Sequence, residues 1–148
     1  MKIYKGEFDK KLELQIAPAI MAGFPSPAEE YFSETLDFNR DMIRHPESTF
    51  YGRVKGDSMV DVGIEEGDIA VIDKSIIAEH GDIVIAYLNG EFNVKRLDMS
   101  HKDDGYIELK SENPTGPNFR ISEDDDFQVW GVVVYTIKQC SRWDRFWV

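Results

Sequence analysis

From about residue 51 onward the chain alternates apolar and polar side chains in short runs, the period of a half-buried strand. The runs 51–55, 68–73, 82–88, 91–98, 106–110 and 128–137 are rich in Val, Ile, Tyr and Phe and are bounded by Gly, Asp or Asn. They predict six strands. No helical pattern separates them, so the body is expected to be mostly antiparallel β. Helical signals lie upstream. Ser26, Pro27 and Glu29 have the order of a capping serine, a first-turn proline and a capping-box carboxylate. They predict a short helix to about Thr35. A second is expected after Asp37, carrying Met42 and Ile43, and must end near His45 because Pro46 follows. The predicted class is mainly β (α+β), with short N-terminal helices.

The sharpest local signal is Asn89-Gly90, a two-residue turn between apolar runs. Folding a hairpin on it pairs Leu88 with Glu91 and Tyr87 with Phe92, and places Lys95 opposite Val84. Side chains alternate, so Lys95 shares a face with Asn93 and Leu97, across from Asp82, Val84 and Ala86. Apolar neighbours disfavour an ammonium ion and lower its pKa. The other reading places Lys95 at a sheet edge with its head group in solvent.

Charge adds a second division. The 148 residues carry 17 basic and 28 acidic side chains, net −11, with 42% hydrophobic positions. A surface of that sign repels phosphate backbones, which argues against direct nucleic-acid binding. Residues 1–22 differ, with Lys2, Lys5, Lys10 and Lys11 against three acids. They read as an arm opposite in sign to its body and flexible beside it, joined through the hinge-like Gly23-Phe24-Pro25-Ser26-Pro27. Residues 14–21 followed by Ala22-Gly23 imitate a secretory signal, but Glu7, Asp9 and Glu13 occupy its basic leader and Gln15 and Pro18 break its core. No run approaches the roughly 18 apolar residues of a membrane span. Cys140 is the only cysteine, so no internal disulfide or cysteine cluster forms, which fits a reducing cytoplasm.

Lys55-Gly56-Asp57-Ser58-Met59 follows a predicted strand. Ser58 there is either a turn residue bonding its own backbone or a nucleophile at a tight bend, with N–H groups free for an oxyanion. A serine hydroxyl needs a base. His45, His80 and His101 lack a partnering pattern and read as surface residues, whereas a neutral Lys95 has an apolar setting. Ser122 to Asp126 lacks the spacing of a calcium loop and reads as a solvated acidic turn. Trp143 and Trp147 sit in a terminal segment that either folds back on the sheet or anchors a partner.

Gly56-Asp57-Ser58-Met59, Gly63-Ile64-x-x-Gly67-Asp68, His80-Gly81-Asp82-Ile83-Val84 and Gly90-Glu91-Phe92-x-Val94-Lys95-Arg96-Leu97 together resemble the LexA/UmuD self-cleaving serine–lysine protease family. The likeness runs in order over about residues 20–138 and is closest to its UmuD-like members. It implies a β catalytic domain of the LexA/signal-peptidase type over 23–148 behind a cleavable arm over 1–22. Carried over, Ser58 is the nucleophile, Lys95 the general base, and the backbone N–H groups of Ser58 and Asp57 hold the oxyanion. The scissile bond is Ala22–Gly23, with alanine where UmuD relatives often have cysteine. The resemblance further implies a role in SOS mutagenesis with no cofactor or metal. Its partners would be a second copy in a homodimer, a RecA-type recombinase filament as trigger, and a Y-family polymerase subunit of the UmuC type. The strand around 127–137 is expected as an exposed edge near the dimer interface. Two other readings are a non-catalytic scaffold of the same fold and the C-terminal part of a LexA-type or phage-type repressor. Against the repressor, only 22 residues precede Gly23, too few for a DNA-binding domain.

Overall fold

The computed structural model describes residues 1, 3–5, 13–16 and 34–141, with backbone alone for 13–16 and 34–36. The chain divides into two units, Met1–Lys5 with Ser48–Val148, and Gly6–Glu47.

In the smaller unit, β2 (Glu13–Ile16) pairs antiparallel with β3 (Glu34–Asp37), Leu14 opposite Leu36. The helix expected over 26–35 falls mostly outside the described residues. Its last two positions, Glu34 and Thr35, are strand, because the ladder to β2 satisfies their backbone groups instead. The second expected helix is a single wide turn, Phe38–Met42. Asp37 starts it by accepting the N–H groups of Asn39 and Arg40 at 2.9 and 3.3 Å. Ile43 is already extended, so the turn stops short of His45.

The larger unit holds one eight-stranded antiparallel sheet. Along the chain its strands are β1 (Ile3–Lys5), β4 (Thr49–Arg53), β5 (Ile69–Asp73), β6 (Ile83–Leu88) and β7 (Glu91–Asp98). β8 (Ile107–Lys110), β9 (Phe119–Ile121) and β10 (Phe127–Ile137) complete it. The order across the sheet is β1-β4-β5-β10-β6-β7-β8-β9. Six strands lie where the alternation predicts them, within two residues. Short β1 and β9 carry too little pattern to be read. β1 falls inside the stretch expected as a flexible arm, and there Ile3–Lys5 is paired with β4.

The hairpin register is the predicted one, Leu88 opposite Glu91 and Val84 opposite Lys95. Asn89 and Gly90 both have positive φ (48° and 94°), as the tight turn requires. The acidic turn locks its tip, with the Asn89 N–H on the Asp126 carbonyl and the Asp126 N–H on Asn89 Oδ1.

One expectation is overturned. β10 is not an exposed edge, because β5 pairs along one side of it and β6 along the other. The first half of the strand, 127–132, pairs with β6 and the second, 132–137, with β5; Val132 is buried, whereas Val133 and Val134 are half-buried. The strand bends through two irregularities, between Val129 and Gly131 against β6 and between Val133 and Tyr135 against β5. Neighbouring residues of β6 supply the two faces of the sheet. Ile85 joins Val54, Met59, Ile64, Ala70, Ile72 and Val94 in one core cluster. Val84 and Ala86 join Leu88, Leu97, Leu109, Ile121 and Val132 in the other.

Candidate functional site

Ser58 sits just beyond β4. The β4–β5 ladder continues past Arg53 through Val54, whose N–H donates to the Asp68 carbonyl at 2.8 Å. The chain then turns at Gly56, and Met59 plugs back into the core at 1% exposure. A turn of 3-10 helix, Val60–Val62, follows. Half-buried Ser58 is thus held between a strand end and a buried methionine. The Asp57 carbonyl accepts Asn113 Nδ2 at 2.9 Å and the Val60 N–H at 3.3 Å. The Ser58 carbonyl accepts the Glu112 N–H at 2.8 Å. Among the described residues, the N–H groups of Asp57 and Ser58 make no hydrogen bond; of these two residues, Ser58 lines the cleft described below.

Lys95 reaches the same place from β7. That strand lies between β6 and β8, so Lys95 is not at an edge, and the residue is only 3% exposed. Its ammonium lies 6.0 Å from the centre of the Phe119 ring, at the outer reach of a cation–π contact. Burial pushes its pKa below the ordinary lysine value, because a low-dielectric setting disfavours the charged form. Among the described residues no carboxylate forms an ion pair with it, so nothing restores the charge.

Ser58 and Lys95 line one cleft of about 150 Å³. Val54, Met59 and Val94 make its apolar wall and Asn93 and Lys55 its polar rim. Met1 also lines it. The hairpin count and the serine motif, read independently, therefore meet in one depression. The histidines do not. His45 is exposed, His80 accepts the Met99 N–H through Nδ1 at 2.9 Å, and His101 stacks on Tyr106 at 4.8 Å. None lines the cleft. Ala22 and Gly23, the expected scissile pair, lie outside the described residues, as do Trp143 and Trp147. Sequence reasoning passed over Glu112 and Asn113. The only signal was the turn dipeptide Asn113-Pro114, which carries no hint of a partner more than 50 residues away.

A serine hydroxyl, a lysine biased toward its neutral form and two free N–H donors are the components of acyl transfer. Comparison with known proteins gives the family. The family profile described as Peptidase S24-like matches residues 15–134. The chain belongs to that family. Protein SamA of Salmonella typhimurium strain LT2 is 43% identical over 123 residues, 83% of each chain. Protein MucA of Salmonella typhimurium is 40% identical over 119 residues, 80% of this chain and 79% of MucA. LexA repressor 1 of Geobacter sulfurreducens is 40% identical over 109 residues, 74% of this chain but 52% of that repressor. The likeness to SamA and MucA, which runs nearly the length of both proteins, makes the chain a UmuD-like member of the LexA/UmuD group. Among the described residues no helix is long and apolar enough to cross a membrane.

Proposed function

We propose that this chain is a serine protease that cuts its own backbone between Ala22 and Gly23, separating an arm over 1–22 from a body over 23–148. Neutral Lys95 takes the Ser58 proton, and Ser58 Oγ attacks the Ala22 carbonyl carbon. The N–H groups of Ser58 and Asp57 hold the oxyanion. Lys95 returns the proton to the Gly23 nitrogen as the C–N bond breaks. Water, deprotonated by Lys95, then frees the Ala22 carboxylate from Ser58. The observation carrying this reading is a buried Lys95 with lowered pKa, without an ion-pair partner among the described residues, in the same small cleft as Ser58. Tethering supplies a high effective concentration of the scissile strand, so no deep specificity pocket is needed.

The processed form is then the accessory subunit of an error-prone translesion polymerase in the SOS response. It acts in the cytoplasm as a homodimer, beside a Y-family subunit of the UmuC type, with a RecA-type filament as the trigger for cutting. Likeness to UmuD-like proteins supports these partners. The decisive experiment is mass spectrometry of purified protein incubated at alkaline pH. Wild type should yield fragments ending at Ala22 and beginning at Gly23, and Ser58→Ala should yield neither. Intact wild-type protein under those conditions would favour a scaffold of the same fold without catalysis.

A further inference from the structure

We propose that Asn113 is a positioning residue that aims the Ser58 N–H at the oxyanion. The inference rests on the Ser58–Lys95 reading above and adds to it a group outside the lining of the cleft. A trans peptide is planar, with its C=O and N–H pointing in opposite directions. Holding the Asp57 carbonyl therefore sets the direction of the Ser58 N–H. Asn113 Nδ2 holds that carbonyl at 2.9 Å. The next peptide is held likewise, its Ser58 carbonyl on the Glu112 N–H at 2.8 Å, and Asp61 returns a bond from its N–H to the Glu112 carbonyl at 2.9 Å. Two successive peptides at the nucleophile are thus oriented from one distant loop.

That loop is itself braced. Asn113 Oδ1 accepts both the N–H and the hydroxyl of Thr115, at 3.1 and 3.0 Å, which fixes the amide with its NH2 toward Asp57. Arg96, next to Lys95 on β7, donates Nε to Glu112 Oε1 at 2.6 Å and NH1 to the Gly81 carbonyl at 2.6 Å. One connection thus ties the serine turn to the strand that carries the base. The Ser58 N–H, held in this way, needs no reorganisation during reaction, which is where such donors gain their effect.

The test uses the full chain and three readouts: self-cleavage rate against pH, inhibition by a peptide boronate, and melting temperature. The boronate carries the sequence of residues 18–22 with alanine boronic acid at its end, so that Ser58 forms a tetrahedral adduct with a hydroxyl in the oxyanion site. The same peptide ending in an amide is the comparison. Asn113→Ala should slow cleavage by about 10- to 100-fold, less than the full loss of a donor. The pH midpoint should not move, because Lys95 is untouched. Boronate inhibition should weaken by the same factor while amide inhibition holds. Asn113→Asp keeps the shape and the Thr115 bonds but cannot donate, and should behave alike; it serves if the alanine variant melts early. Wild-type rates in both variants would overturn the proposal, as would equal weakening of boronate and amide. A wild-type chain that neither cuts nor responds to the boronate would instead remove the Ser58–Lys95 reading, and the aiming role with it.

Discussion

Lys95 stands directly opposite Val84 across the β6–β7 ladder, and Val84 is fully buried. Lys95, the proposed base, therefore grows from the interior of a sheet, with its stem among side chains that cannot solvate it. A catalytic lysine at neutral pH requires this setting, because only the unprotonated amine accepts a proton.

Self-cleavage should accelerate as pH rises, with a midpoint below 10.5, the ordinary lysine value, and level off above that midpoint. Lys95→Arg keeps the charge but is not deprotonated in proteins, so it should lower the rate by at least about 100-fold with the fold intact. Rate profiles from pH 6 to 11 check both points. A folded arginine variant cutting at the wild-type rate would rule Lys95 out as the base.

Removing Lys95 should also stabilise the fold. Its folded pKa lies below the unfolded one, so between those values the unfolded chain binds more protons and wild-type stability rises with pH. Lys95→Met should melt above wild type at pH 7. The gap should close as pH approaches 10.5. An unchanged melting temperature at pH 7 would mean the ammonium is well solvated.

Asp98 should contribute acid-sensitive stability. Lys110 Nζ at 2.6 Å, together with the hydroxyl and N–H of Ser100 at 2.6 and 2.8 Å, holds its carboxyl well below the usual range. A depressed carboxylate stabilises above its unfolded pKa of about 4 and loses that contribution as pH falls. Asp98→Asn should melt below wild type at pH 7, and the difference should shrink toward pH 2. Thermal melts at pH 7, 4 and 2 give the comparison.

Gly131 has no room for a side chain. A Cβ there would lie 2.5 Å from Cγ2 of Ile72 on neighbouring β5, and Ile72 is fully buried. Gly131→Ala should cost about 1–3 kcal/mol in urea unfolding, through overpacking. A cost near zero would show that β10 shifts freely at its bend.

Much of this site was legible because its two halves use local rules. The Asn89-Gly90 turn sets the register, and the register alone places Lys95 opposite Val84. The strand end before Gly56 marks the turn that carries Ser58. Illegible were the features that depend on distant pairing. β10 as a central strand follows from contacts with β5 and β6, whose alternation does not name a neighbour. Glu34 and Thr35 are strand only because Glu13–Ile16 lies beside them. Asn113 reads as an ordinary turn residue until the chain folds its amide onto Asp57.

Ile3–Lys5 is the outermost strand of the sheet at one side, covering β4 through Gly52, Tyr51 and Phe50. All three residues lie ahead of Ala22. A cut there would leave this strand on a fragment held, among the described residues, only by its three pairs with β4 and the four pairs of β2 with β3, a short set of strand pairs without the covalent link. Amide exchange at Phe50 to Gly52 should be faster in cut protein than in Ser58→Ala, and equal protection would mean that the strand stays. The proposed cut would therefore do more than shorten a polypeptide. By releasing this strand it would turn a capped sheet into one with an open row of hydrogen-bonding groups, which another extended segment can pair with.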